Sequence, residues 1–145
     1  MTDSILDRTN VVAAGTATTR DDAIREAGEL LVRAGAVEPA YIDSMGDRER
    51  TVSTFMGNGL AIPHGTNEAK DEIKRSALSF IRYTDPIDWD GEQVNFVVGI
   101  AGQNNEHLDI LSKIAIIFSE DDEVEKLVEA PDADALFALL GDVNE

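Results

Sequence analysis

Asn58-Gly59-Leu60-Ala61-Ile62-Pro63-His64-Gly65-Thr66 is the stretch on which the reading of this chain turns. Leu60-Ala61-Ile62 predicts a short buried strand. Pro63 has no N–H to donate and cannot continue a central strand. Gly65 permits a turn with positive φ, or the close approach of another backbone. His64 is therefore expected where a strand stops, at the edge of a sheet, on a backbone stiffened by proline. Loops at strand ends are where chemistry concentrates, and an imidazole is the side chain that changes charge near neutral pH. The chain has one other histidine, His107, and no cysteine. Against this stands the plainer reading of His64 as a surface or hydrogen-bonded structural residue, so the surrounding chain has to decide.

Outward from this stretch, hydrophobic periodicity lays out helices and strands in alternation. A short strand is expected around Asn10-Val11-Val12. Thr18 or Thr19 caps a helix with Asp21 and Asp22 in its first turn, where the helix dipole favours them. Ala23, Ile24, Ala27, Leu30, Leu31 and Ala34 form one apolar stripe that Gly35 ends. Glu38-Pro39 opens a second helix with Ala40, Ile42 and Met45 as its apolar positions, running toward Asp47-Arg48-Glu49-Arg50. Thr51 to Phe55 is read as extended, and Asn67 to Lys74 as holding one helical turn. Ser76 to Tyr83 is a strand, Thr84 to Gly91 a loop on Asp85-Pro86 and Asp90-Gly91 turn signals. Val94 to Ala101 is a strand buried on both faces.

Gly102-Gln103-Asn104-Asn105 breaks that strand and supplies a cap. A helix follows from Glu106-His107 with Leu108, Leu111, Ile114, Ala115 and Phe118 on one side. Asp121-Asp122 starts another through Val124, Leu127 and Val128, and Asp132 caps a last short one with Ala135, Leu136, Leu139 and Leu140. The expected class is α/β (α+β): a three-layer α/β/α single domain over residues 1–145, with a mixed sheet of four to five strands flanked by helices.

Composition removes several function classes. At 145 residues the chain is long enough to bury a sizeable core as one domain. Without cysteine there is neither a disulfide nor a thiolate metal site. The start, Met1-Thr2-Asp3-Ser4, lacks the basic and apolar regions of a signal peptide, and no apolar run approaches the ~20 residues of a membrane span. We therefore expect a cytoplasmic, free-standing protein. With 12 Lys+Arg against 29 Asp+Glu, the formal charge is −17. That excludes the basic footprint of nucleic-acid binding and favours partners with a basic face.

Three pieces carry possible chemistry. His64 ends a strand. His107 opens a helix just after a strand, where unsatisfied amides and the helix dipole favour an anion such as a phosphoryl group. Asp47-Arg48-Glu49-Arg50 is either a solvated helix end with weak ion pairs or the source of an arginine that clamps phosphate oxygens with its guanidinium fork. A metal site built on the two histidines competes, but they lie far apart and no His-x₃-His spacing is present. The chain has neither a Gly-x-Ser-x-Gly elbow nor a Gly-x₄-Gly-Lys-Ser/Thr phosphate loop.

Thr54 to Thr66, with Val98-Gly99-Ile100-Ala101 and Asn104-Asn105-Glu106-His107-Leu108-Asp109-Ile110-Leu111-Ser112-Lys113-Ile114-Ala115, closely resembles the mannitol-type enzyme IIA of the bacterial phosphoenolpyruvate-dependent sugar phosphotransferase system. The resemblance covers nearly the whole chain, and the pairing of the Pro-His-Gly-Thr and Glu-His-Leu segments is specific. It implies a phosphotransferase component without cofactor or metal. His64 would accept a phosphoryl group from the phosphocarrier HPr as a tele-phosphohistidine and pass it to a cysteine of the mannitol-specific IIB domain or IICB transporter. His107 and Arg48 match the family's supporting histidine and arginine, with Arg50, two residues on, as the competing arginine. A fructose-type or nitrogen-regulatory IIA-like phosphoprotein using the same histidine is the alternative, and a non-catalytic metal- or anion-binding module the alternative from another class.

Overall fold

The computed structural model describes residues 6–51, 53–65, 71–102 and 106–140, the side chains of 106–108 excepted. Two Asx-Gly turns organise the sheet. Asn58 and Gly59 take φ of 51° and 76°, the pair of positive values that a two-residue hairpin matched to the strand twist requires. They join β2 (Phe55–Gly57) to β3 (Leu60–Ala61) as an antiparallel pair. Asp90-Gly91 likewise joins β4 (Ala77–Trp89) to β5 (Glu92–Ala101). With β1 (Val11–Val12), these make a five-stranded mixed sheet in the order β1-β4-β5-β3-β2. β1 runs parallel to β4, and β3 parallel to β5.

Helices cover both faces. Helix α1 (Arg20–Arg33) begins as its sequence predicts, with the Thr19 hydroxyl accepting the Asp22 N–H and Asp21 and Asp22 in its first turn. Its buried Ala23, Ile24, Ala27, Leu30 and Leu31 pack with α2 (Ala40–Thr51) over Ala77, Ile81, Tyr83, Val97 and Ala101 of the sheet. On the opposite face, α3 (Glu106–Phe118), α4 (Asp121–Glu129) and α5 (Ala133–Leu139) cover Leu78, Phe80, Phe96, Val98 and Ile100. β5 thus sends alternate side chains into two cores, which is why its sequence is almost continuously apolar. Phe96 links this second core, tilted against Phe80 and edge to face with Phe118, with centroids 5.7 and 5.4 Å apart. Each such pair is worth about 0.5–1.5 kcal/mol beyond its buried area.

The three-layer arrangement and the mixed sheet are those expected. Two local expectations change. The segment 84–91 is not a loop: β4 runs on to Trp89, and only Asp90-Gly91 turns. The register with β5 shifts between Arg82 and Ile87, so Pro86 falls in an irregular, exposed stretch where no ladder donor is demanded, while Ile87 and Trp89 return to the core. Thr51 belongs to α2 rather than to an extended segment. α4 runs through Val124, Leu127 and Val128 as expected, with Leu127 buried and Val128 55% exposed. Of the helical turn expected over 67–74, residues 67–70 lie outside the described residues, as do 103–105, where a cap is expected.

Two charged side chains close gaps that periodicity does not reveal. The Arg82 guanidinium donates to Ala13 O at 2.9 Å and to Leu127 O and Ala130 O, at 3.0 and 2.6 Å, satisfying carbonyls at the end of α4. The Glu26 carboxylate accepts from the Thr16 amide and hydroxyl, the Ala17 amide and the Tyr83 hydroxyl. Burial pushes the Glu26 carboxyl up, but these bonds outweigh it and hold it below its ordinary value. A carboxyl depressed in the native state stabilises the fold above its unfolded pKa of about 4.3, and that contribution is lost as pH falls through the lower folded value. In urea titrations, Glu26→Gln is therefore expected to unfold at lower urea than the parent at neutral pH, with the gap narrowing in acid. A gap that keeps its size in acid would remove Glu26 from the account.

Candidate functional site

The site begins with the parallel pairing of β3 and β5. Leu60 lies opposite Phe96 and Ala61 opposite Val97, so both strands reach the same sheet edge with their carboxyl ends. Pro63 contributes its carbonyl, which accepts the Ile100 N–H at 3.0 Å, and His64 makes a parallel bridge with Ile100. His64 thus leaves the sheet where the sequence placed it, half-buried, beside the end of β5. The carboxyl ends of neighbouring parallel strands are where open α/β sheets bind ligands.

The imidazole is oriented by its own chain. His64 Nδ1 lies 2.8 Å from Ile62 O. A carbonyl only accepts, so this bond requires the proton on Nδ1 and leaves the neutral ring's lone pair on Nε2. Backbone binding of one ring nitrogen in this way fixes both tautomer and ring orientation. The nucleophilic nitrogen of neutral His64 is therefore Nε2.

Helix α2 supports the next residue. The Gly65 N–H donates to the Tyr41 hydroxyl at 2.9 Å, and that hydroxyl donates to Ile100 O at 2.9 Å. One buried phenol thus ties the chain after His64 to β5. Burial, slightly offset by the Gly65 amide, raises the Tyr41 pKa, so the hydroxyl keeps the proton it donates. A Cβ on residue 65 would stand 2.4 Å from Tyr41 Cε1 and 2.8 Å from Ser44 Oγ. The glycine after His64 is needed for close approach to α2, and its φ is not among the positive ones.

At about 100° per residue, Tyr41, Ser44 and Arg48 share one face of α2, and it is this face that meets Gly65. Arg48 is half-buried on that stripe. Arg50 lies half a turn round from Tyr41, exposed, and is ion-paired with Asp47. Glu49 is not part of a solvated helix end at all: it is 3% exposed. The sequence therefore holds two kinds of charge in four residues. Sequence reasoning does not single out Tyr41, because Ala40, Ile42 and Met45 are the apolar positions it assigns to this helix. The signal that finds it is the spacing of Tyr41, Ser44 and Arg48 at i, i+3 and i+7.

His107 lies in the first turn of α3, which begins shortly after β5 ends at Ala101. Because β3 and β5 are parallel, the start of α3 and the end of β3 stand at one sheet edge. The side chain of His107 lies outside the described residues. Among the described residues, no group of three or more His, Cys, Asp or Glu side chains could hold a metal ion.

A strand-end imidazole with Nε2 as nucleophile, a half-buried arginine on the adjoining helix face and a helix start at the same edge are suited to a transferring anionic group. Comparison with known proteins gives the same direction. The family model described as "Phosphoenolpyruvate-dependent sugar phosphotransferase system, EIIA 2" matches residues 4–143. The mannitol-specific phosphotransferase enzyme IIA component of Halalkalibacterium halodurans is 50% identical over 145 residues, covering 100% of both chains. That of Staphylococcus aureus is 56% identical over 117 residues, 81% of each. Among solved structures, the enzyme IIA of mannitol from Escherichia coli, in complex with phosphorylated enzyme IIB of mannitol, superposes with a TM-score of 0.86 at 34% identity, covering 92% of this chain and 95% of that one.

Proposed function

We propose a phosphoryl-carrier function, centred on His64, for this chain, which belongs to the phosphoenolpyruvate-dependent sugar phosphotransferase system EIIA 2 family. His64 Nε2 attacks the phosphorus of a phosphorylated donor; the new N–P bond forms as the donor's bond to phosphorus breaks. In the second half-reaction a thiolate of the acceptor attacks the same phosphorus, the N–P bond breaks, and the lone pair returns to Nε2. The donor is HPr and the acceptor the cysteine of a mannitol-specific IIB domain or IICB transporter. Names of the relatives and the IIB-bound Escherichia coli neighbour support the mannitol assignment. The partners meet this chain in the cytoplasm; no helix of the described residues is long and apolar enough to cross a membrane.

One observation carries the reading: the bond from His64 Nδ1 to Ile62 O at the carboxyl edge of the sheet. In the neutral ring it places the lone pair on Nε2 and holds it in one direction, and phosphoryl transfer asks for little beyond positioning and charge stabilisation. Arg48 and His107 are the groups assigned to the phosphoryl oxygens, with the start of α3 adding the helix dipole. The test is reconstitution with enzyme I, HPr and phosphoenolpyruvate, read by intact mass. A single added phosphoryl group, discharged on adding the mannitol IIB domain, is expected; no mass change would overturn the reading.

His107 has a prediction of its own. A neutral imidazole donates one N–H to a phosphoryl oxygen without holding the group as a fixed cation would. His107→Ala is expected to slow discharge to IIB by about tenfold or more, the worth of one hydrogen bond to a charged group. His107→Gln, which keeps a donor, recovers part of the loss. Parental discharge by His107→Ala would make the residue structural.

A further inference from the structure

Glu49 is a buried carboxylate that the site described above does not use. It is 3% exposed, and its neighbours Thr54 and Trp89 are 4% and 0% exposed. One oxygen, Oε2, accepts the Thr54 N–H at 2.8 Å and the Trp89 Nε1–H at 2.9 Å. The other, Oε1, accepts the Thr54 hydroxyl. Among the described residues no cation is ion-paired with it. Burying a polar group is costly unless hydrogen-bond partners are aimed at it, as these three donors are. Glu49 thereby clamps three elements: the last turn of α2, the segment entering β2, and the end of β4.

From Thr54 the connection continues to His64. Thr54 O accepts the Ile62 N–H at 3.1 Å. Ile62 O is the acceptor of His64 Nδ1–H at 2.8 Å. The carbonyl that sets the His64 tautomer thus belongs to a residue whose own amide is fixed by Thr54, and Thr54 is fixed by Glu49. Glu49 also directly follows Arg48 in α2, so the same clamp sets the helix end that carries the arginine.

We propose that Glu49 is a positioning residue for the His64 centre: through Thr54 and Ile62 it holds the carbonyl that keeps the proton on Nδ1 and the nucleophilic lone pair on Nε2. Its importance for transfer rests on reading His64 as the phosphoryl acceptor; its effect on the ring does not. Glutamine can reproduce the clamp, its carbonyl oxygen facing Thr54 N–H and Trp89 Nε1–H and its amide donating to the Thr54 hydroxyl oxygen. Leucine cannot, and it leaves three donors without an acceptor.

The experiment compares full-length parent, Glu49→Gln, Glu49→Leu and Thr54→Val. The imidazole ¹⁵N shifts of His64 are followed against pH, with folding midpoints and, separately, kcat and KM for phosphoryl uptake from phosphorylated HPr. In Glu49→Leu the tautomer protonated on Nε2 is expected to rise about fivefold, the equivalent of one weakened hydrogen bond. The kcat should fall by a similar factor, with KM for the donor little changed. Glu49→Gln should recover most of both. Thr54→Val, which keeps the backbone links and loses one donor, should shift the tautomer in the same direction by less, and it decides the matter if Glu49→Leu does not fold. Parental His64 shifts in folded Glu49→Leu, or in Thr54→Val where it stands in, would overturn the proposal, as would equal shifts in the Gln and Leu variants. A tautomer shift in a protein whose parent takes up no phosphoryl group would leave this proposal standing and sink the carrier function instead.

Discussion

His64→Ala is expected to take up no phosphoryl group from phosphorylated HPr, while folding with nearly parental stability. The effect is the largest expected because the variant removes the nitrogen to which the proposed function assigns the N–P bond. The fold loses little. The ring is half-buried at a strand end, and its bond to Ile62 O is worth about 1 kcal/mol. The strand itself is held by pairing to β5 and by the Pro63 carbonyl, neither of which involves the imidazole. In the parent, the attached group should resist alkali and be lost in acid, as a phosphoramidate is. It should sit on Nε2, because Nδ1 already donates to a carbonyl. Phosphorus–nitrogen coupling in a ¹⁵N-labelled sample distinguishes the two nitrogens. Coupling to Nδ1 would mean that the bond to Ile62 breaks during transfer, and undiminished labelling of His64→Ala would remove the residue from the chemistry altogether.

What the sequence conveyed, and what it did not, follows from the range of the interactions involved. The cap at Thr19, the stripe of α1 and the doubly buried β5 were legible because each is written in consecutive residues at a period of 3.6 or 2. His64 was legible for the same reason: Pro63 and Gly65 act on their own neighbours. The Asn58-Gly59 hairpin was equally local, yet the strand before it is short and kinked between Phe55 and Gly57, so no alternating pattern announced it. Asp85-Pro86 misled because turn residues also populate the irregular part of a long strand, and only the resumed pairing of Ile87 with Val94 tells the two apart. Glu49 and Tyr41 were beyond reach in another way. Their partners, Trp89 for one and Gly65 and Ile100 for the other, are supplied by distant parts of the chain. A glutamate between two arginines reads as surface until the tryptophan that meets it is known.

That contrast within one short run of charge gives the second large prediction, on Arg48 and Arg50. The two arginines are chemically alike and two positions apart, but the helix separates them. Arg48 is half-buried on the face whose Tyr41 and Ser44 touch the His64 loop at Gly65, whereas Arg50 is exposed on the opposite side against Asp47. A transferring phosphoryl group spreads its charge over three equatorial oxygens, and a guanidinium fork can engage two of them at once. Such stabilisation counts when it is stronger in the transition state than in the complex that precedes it. Arg48→Ala is accordingly expected to slow single-turnover transfer by about 10²–10³-fold, the loss seen when one preorganised donor to developing charge is removed. Arg50→Ala gives up only a surface ion pair, worth about 0–1 kcal/mol of stability, and should leave the transfer rate within about twofold. Arg48→Lys restores the charge without the fork and should recover only part of the loss, since a lysine at a bidentate site is not a conservative replacement. Urea midpoints for the Ala variants separate a catalytic deficit from an unfolded one. A larger deficit in Arg50→Ala than in Arg48→Ala would mean that α2 presents its other face to the phosphoryl group, and the stripe of Tyr41, Ser44 and Arg48 would then be a packing surface only.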